Sequence, residues 1–71
     1  MADSFDPEAL AIEYRRLGGK REVRIQGETI HMNTWKPELR AAELFWDEKI
    51  ATLPQEQRNA VARCLAEILP R

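Results

Sequence analysis

Residues 21–33, REVRIQGETIHMN, decide the fold of this chain. Two segments of alternating character flank Gly27 and Glu28, and a two-residue loop with glycine first is typical of a type II′ turn. This loop pairs Gln26 with Thr29, and the rest of an antiparallel register follows from that pair. Because successive side chains point to opposite faces of a strand, the predicted hairpin has one apolar and one polar face. The apolar face carries Val23, Ile25, Ile30 and Met32, and the polar face carries Glu22, Arg24, Gln26, Thr29, His31 and Asn33.

A first helix is predicted over about 7–17, before the hairpin. Asp6 suits the N-cap and Pro7 the first helical position, and the glycines at 18–19 supply the open backbone on which helices end. The buried stripe of this helix is expected to consist of Leu10, Tyr14 and Leu17, with Ile12 outside it.

Two more helices are predicted after the hairpin, over about 35–52 and 54–69. The seam of the second helix should cover the hairpin, and Thr52 with Gln55 has the form of a capping box for the third. The expected order is therefore α-β-β-α-α, an α+β fold in which one hairpin (about 21–33) packs against three helices. The seam of the second helix comprises Leu39, Ala42, Trp46, Ile50 and Leu53, and the stripe of the third comprises Val61, Cys64, Leu65, Ile68 and Leu69.

Length and composition indicate a single domain spanning 1–71. The chain has 71 residues, 44% of them hydrophobic and 32% charged, and a formal net charge of −1. These proportions are typical of a soluble globular domain, and no bulk charge points to nucleic acid or a membrane. The small core favours a binding role, since burial against a partner would stabilise it. One cysteine excludes an internal disulfide framework, and no apolar signal core follows Met1, so we expect a cytoplasmic protein.

No residue pattern predicts catalysis, a cofactor or a metal site. A metal site needs three or four converging ligands, and the chain has one His and one Cys, far apart in sequence. Cys64 lies on an apolar stripe and is expected to act as a small hydrophobe, and His31 has no acid or nucleophile beside it by spacing. Residues 18–20, GGK, lack the longer glycine frame of a phosphate loop. We therefore predict a non-enzymatic protein.

A basic cluster leads into the hairpin. Five cations fall within ten residues, opposed by Glu22: they are Arg15, Arg16, Lys20, Arg21 and Arg24. Such a patch beside a β-ribbon suits phosphate contacts by Arg15, Arg16 and Lys20, so nucleic-acid binding is an alternative function. The slightly acidic total charge favours a solvated face or an acidic protein partner instead.

Apolar side chains exceed what the helical stripes require. The surplus consists of Ile12, Trp35, Leu44 and Phe45. Aromatic residues commonly anchor protein interfaces. Either the third helix or the N-terminal arm covers this surplus within the monomer, or it forms a docking surface or homodimer interface.

Two families share parts of this pattern. The hairpin followed by residues 37–40, PELR, opening a helix in an α-β-β-α-α order, resembles the N-terminal docking domains of hybrid polyketide and nonribosomal peptide synthetases over roughly 10–53. That resemblance implies a dimer whose exposed hairpin receives a partner peptide. Separately, residues 19–21, GKR, with the hairpin and a helix after 33–34, resemble the small head–tail joining proteins of lambda-type phages. That resemblance implies basic residues close to the hairpin.

These observations predict a small protein–protein interaction module: an adaptor, docking domain or inhibitor of a larger protein, either alone or as a homodimer. The alternatives are a phage protein of head–tail joining or host-takeover type and a nucleic-acid-binding protein that uses the basic cluster. The residues expected to contact a protein partner are Arg21, Arg24, His31, Trp35, Leu44 and Phe45.

Overall fold

The computed structural model describes residues 5–33 and 38–68. They form helix α1 (Pro7–Arg16), strands β1 (Glu22–Gln26) and β2 (Thr29–Asn33), helix α2 (Arg40–Phe45) with a π-helical turn (Trp46–Ile50), and helix α3 (Gln55–Glu67). The predicted α-β-β-α-α order of a small α+β domain is thereby confirmed.

The hairpin has the predicted register. The pairs are Glu22 with Asn33, Val23 with Met32, Arg24 with His31, Ile25 with Ile30, and Gln26 with Thr29. Gly27 has φ 62°, and no non-glycine residue in the described ranges has a positive φ. A positive φ at the first loop residue alone identifies the type II′ turn, since type I′ needs one at both.

Helix α1 begins and ends as its sequence predicts. The Asp6 carboxylate accepts a hydrogen bond from the Ala9 N–H at 3.2 Å, with Pro7 next in the chain. At the other end Gly18 has φ 96°, its N–H donates to Arg15 O, and the Gly19 N–H donates to Tyr14 O, both at 3.0 Å. This is a Schellman motif, which turns the chain from α1 towards β1.

The second helix begins later than predicted. Trp35, where the start was expected, lies outside the described residues, and Leu39 has extended backbone with φ −69° and ψ 150°. Because the helix begins only at Arg40, Leu39 is not on its seam and is 63% exposed, with its side chain beside Gly18. The placement of Leu39 in the core was therefore wrong.

A π-helical turn ends the second helix. The Ala51 N–H donates to Trp46 O at 2.8 Å, a bond that spans one residue more than an α-helical bond does. Trp46 and Ile50, at the two ends of this turn, are both buried as predicted.

The capping box predicted at the start of α3 is absent. Pro54 occupies the N-cap position without a side-chain cap, and the Thr52 hydroxyl donates to Glu48 O at 3.2 Å. The Thr52 side chain therefore bonds to a carbonyl of the preceding π-helical turn and not to the N-terminus of α3. Threonine hydroxyls commonly donate to a carbonyl four residues earlier.

Helix α3, rather than the seam of the second helix, provides most of the cover for the hairpin, and of that seam Trp46 lies beside Ile30 and Met32. Helix α3 packs on α1 and on both strands, with β1 the nearer, whereas α2 packs on α1. Of the predicted apolar face only Val23 is buried, while Ile25, next to the turn, is 36% exposed. Ile30, directly opposite Ile25, is half-buried against the core, so at this level the helices cover β2 and leave Ile25 on β1 exposed. The core consists of Ala11, Tyr14, Val23, Ala42, Trp46, Ile50, Val61, Ala62 and Leu65.

We predict that Gly19→Ala destabilises the fold by about 1–3 kcal/mol, the usual cost of overpacking a filled site. A Cβ at this position would overlap the ring of Tyr14, which packs directly on the Gly19 backbone. Urea denaturation followed by circular dichroism measures the loss. Gly27→Ala is the control: it changes the glycine of the hairpin turn, where nothing lies within 4 Å of the added atom, so only the strain of φ 62° is expected. An equal or smaller loss for Gly19→Ala would contradict the packing argument.

Candidate docking surface

A buried polar cluster fixes the base of the hairpin; we call it the hairpin clamp and define it as Tyr14, Arg21, Glu38 and Trp46. The Nε atom of Arg21 lies 3.2 Å from Oε2 of Glu38, and these side chains are only 14% and 9% exposed. The guanidinium also lies over the Trp46 ring, 4.4 Å from its centroid. Ion pairing and cation–π contact thus offset part of the cost of placing a charge where little water reaches. Arg21 Nε and Glu38 Oε1 have no hydrogen-bond partner within the described residues.

Tyr14 joins the clamp to helix α1. Its hydroxyl accepts a hydrogen bond from the Arg21 N–H at 3.3 Å, and its ring meets Trp46 edge-on, with centroids 5.3 Å apart. Burial, followed by a hydrogen bond to Glu38, raises the pKa of Tyr14 to about 12. The neutral phenol is therefore the form that fits this site.

Arg15 closes the turn between α1 and β1. Its guanidinium donates to Gly19 O at 3.1 Å and to Arg21 O at 2.7 Å, and it lies 5.7 Å from the Tyr14 ring centroid. Burial lowers the pKa of this guanidinium. Two cations expected at a binding surface, Arg15 and Arg21, are thus engaged in contacts within the fold.

The polar face of the hairpin presents Arg24 and His31 together. They form a cross-strand pair, and both are exposed. With Glu22, Met32 and Asn33 they line a shallow depression of about 220 Å³. The structure therefore brings two of the predicted partner-binding residues into one site.

The remaining members of the basic cluster are dispersed. Lys20 and Arg16 are exposed, and Arg16 lies 3.6 Å from the Glu13 carboxylate. An exposed pair of this kind contributes little to stability, so both cations stay accessible.

The surplus apolar residues separate into two groups. Leu44 and Ile12 are exposed, at 41% and 44%, on the outer sides of α2 and α1, whereas Phe45 is half-buried against the core. Trp35 lies outside the described residues. None of the described members adjoins the polar face of the hairpin, so the predicted surface does not form one continuous patch.

Sequence reasoning missed a cleft on the other side of the hairpin. It has a volume of about 320 Å³ and is lined by Ile30, Met32, Trp46, Ala51, Gln55, Arg58, Asn59 and Ala62. Its polar wall is held by hydrogen bonds from Gln55 to Asn59 at 3.1 Å and from Arg58 to Gln55 at 2.9 Å. The i, i+3, i+4 spacing of Gln55, Arg58 and Asn59 predicts that they share one face of a helix. The apolar floor is built from three separate elements, so no spacing in the sequence predicts it.

Other chemistry finds little support in residues 5–33 and 38–68. No three His, Cys, Asp or Glu side chains converge there as metal ligands. Within the same ranges, no helix has the length and apolar character needed to cross a bilayer. Cys64 is half-buried beside the core, and burial, followed by nearby carboxylates, raises the pKa of its thiol, which disfavours the nucleophilic thiolate.

Comparison of the chain with protein-family models, curated proteins and solved structures finds no match. The geometry of the site itself is therefore the basis for its function.

We predict that Tyr14, the single tyrosine, titrates near pH 12 in the folded protein and near its ordinary value of 10.0 in urea. Because the pKa of Tyr14 is higher in the folded than in the unfolded state, its neutral phenol stabilises the folded state. This contribution to the free energy of unfolding is complete below pH 10 and is lost as pH rises through about 12. Phenolate absorbance measures the titration, and urea denaturation across this window measures the stability.

Tyr14→Phe is the control for the stability measurement, because it keeps the ring and removes the titrating hydroxyl. Its unfolding free energy should depend less steeply on pH in this window than that of the wild type. Glu38→Gln should lower the pKa of Tyr14, since it removes a neighbouring negative charge. A folded-state midpoint close to 10 would refute the buried hydrogen-bonded environment of the phenol.

Proposed function

We propose that this protein is a non-enzymatic interaction module that presents the polar face of its hairpin to a larger protein. The observation that carries the proposal is the exposed Arg24–His31 pair on a hairpin whose base is fixed by the hairpin clamp. A surface held rigid before binding loses less conformational entropy when the partner binds. The module acts in this proposal as an adaptor, a docking domain or an inhibitor.

The chemistry of the pair suits recognition of polar groups on a partner. Arg24 offers a planar fork of N–H donors, which fits carboxylates and backbone carbonyls. His31 adds a ring that donates or accepts and stands directly across the strand pair. Exposed Leu44, on α2, is a second candidate contact, separate from the hairpin.

The nucleic-acid alternative has weaker support. Arg15 and Arg21 bond within the fold, which leaves Arg16, Lys20 and Arg24 as the accessible cations of the basic cluster. Dedicated nucleic-acid binders present a larger positive excess. The phage-assembly alternative also remains an interaction function, and the same surface would serve it.

We predict that the double substitution Arg24→Ala and His31→Ala abolishes capture of the partner and leaves the fold intact, since both side chains are exposed. The experiment uses the full chain as bait, identifies the proteins retained, and measures the affinity of the purified candidate by calorimetry. Arg63→Ala is the matched control, because it removes an exposed arginine from α3, away from the hairpin. Because the double variant lacks both anchoring side chains, its dissociation constant for the partner should rise at least about tenfold, equivalent to 1.4 kcal/mol or more of binding free energy.

Leu44→Glu tests the apolar contact independently. If the double variant binds as well as the wild type and Leu44→Glu does not, the partner docks on α2 and the hairpin proposal fails. If both bind normally, neither surface is the docking site. Retention of nucleic acid with steep salt dependence would favour the basic cluster instead.

A further inference from the structure

The outer edge of β2 is open in the described part of the chain. The sheet has two strands, and β1 pairs with one edge of β2. No third strand lies beside β2 in the described ranges, and the helices pack on the face of the sheet, against Val23, Ile30 and Met32. The unpaired N–H and C=O groups of an edge strand form a template for pairing with another strand.

The register identifies which backbone groups point outward. Gln26 and Thr29 flank the two-residue turn and form a hydrogen-bonded pair, and hydrogen-bonded pairs alternate along an antiparallel ladder. Arg24 and His31 are therefore the next such pair. Ile30 and Met32, on either side of His31, belong to the alternate, non-hydrogen-bonded pairs with Ile25 and Val23, so their N–H and C=O groups face away from β1.

The composition of β2 is self-complementary. Its sequence, TIHMN at 29–33, runs polar, apolar, His31, apolar, polar, and contains no charged residue and no proline. Edge strands that avoid association usually carry a lysine, a proline or a bulge. If a two-fold axis through His31 relates two copies of β2, Ile30 of one copy lies opposite Met32 of the other. No Lys, Arg, Asp or Glu of β2 then faces a residue of like charge.

We infer that two copies of this chain associate through β2, antiparallel about His31, into a four-stranded sheet. In this register Ile30 of one copy and Met32 of the other exchange both backbone hydrogen bonds, and the reverse pair does the same. The two His31 residues form the close, non-hydrogen-bonded pair at the centre. Because its polar and apolar positions are symmetric about His31, the strand fits a second copy better than a foreign strand, whose side chains need not match it.

The surroundings of β2 suit this arrangement on both faces. The axis is normal to the sheet, so the helices of both copies lie on one side. There, Ile30 and Met32 of each copy extend the apolar floor of the cleft beside Trp46. On the other side, Arg24 and His31 of both copies form one row. The inference rests on the edge of β2 and does not depend on the proposed function, which rests on the polar face.

Sedimentation of the full chain over a concentration series tests the inference, with amide hydrogen exchange as the site-specific readout. We expect a monomer–dimer equilibrium, and exchange at Ile30 and Met32 that slows at least about tenfold above the dissociation constant, since mass action protects these N–H groups. The Ile25 N–H, which faces outward from β1, is the internal control and should show no dependence on concentration. A monomer at millimolar concentration overturns the inference, as does a dimer whose Ile30 and Met32 amides exchange at the monomer rate.

His31→Lys supplies the matched mutational test. It places two like charges directly opposite each other at the axis, which destabilises strand pairing. Gln26→Lys adds the same charge to the same face, but on β1, away from the axis. His31→Lys should be monomeric and Gln26→Lys dimeric, with circular dichroism confirming both folds. Equal dimerisation of the two variants overturns the inference, and the wild-type exchange measurement decides the matter if His31→Lys fails to fold.

Discussion

The contact of Arg21 with Glu38 and Trp46 is the constraint on which the rest of the structure depends. Arg21 lies immediately before β1, Glu38 shortly before α2, and Trp46 at the start of the π-helical turn. Their contact fixes the base of the hairpin against the second helix, and Tyr14 extends the attachment to α1. Removing one partner of a buried ion pair leaves an uncompensated charge, which typically costs about 3–5 kcal/mol. A hairpin alone is marginal in water, so this attachment gives it a defined position.

Features that depend on neighbouring residues could be predicted from the sequence. The hairpin register follows from Gly27 and the alternation around it, and the limits of α1 follow from Asp6 and Gly18. The pairing of Arg24 with His31 followed from the same register, which is why one part of the candidate site was predictable. In each case the backbone conformation is determined by residues only a few positions apart in the sequence.

Features that depend on distant residues could not be predicted. By sequence alone the five cations of the basic cluster are equivalent, yet Arg21 pairs in the fold with Glu38 and Trp46, which lie far along the chain. Arg15 also bonds internally, to the carbonyls of Gly19 and Arg21, which come within reach only because the chain turns back after α1. The cleft beside Trp46 escaped prediction for the same reason, since β2, the π-helical turn and α3 each contribute part of it. Thr52 illustrates a third limit. Its hydroxyl can either cap the start of α3 or donate to the Glu48 carbonyl, and the capping-box motif does not decide between these two bonds.

The hairpin clamp also has a consequence for how the chain loses its structure. Arg21 and Glu38 bracket the entire hairpin, so their contact closes a loop that contains both strands. While this contact holds, the two ends of the segment 21–38 stay together, and breaking it also exposes the rings of Tyr14 and Trp46. Opening of the hairpin base therefore costs more free energy than opening of the turn, where nothing packs within 4 Å of a Cβ at Gly27. Within the described residues, the hairpin is thus held most firmly where it joins the helices and least firmly at its turn.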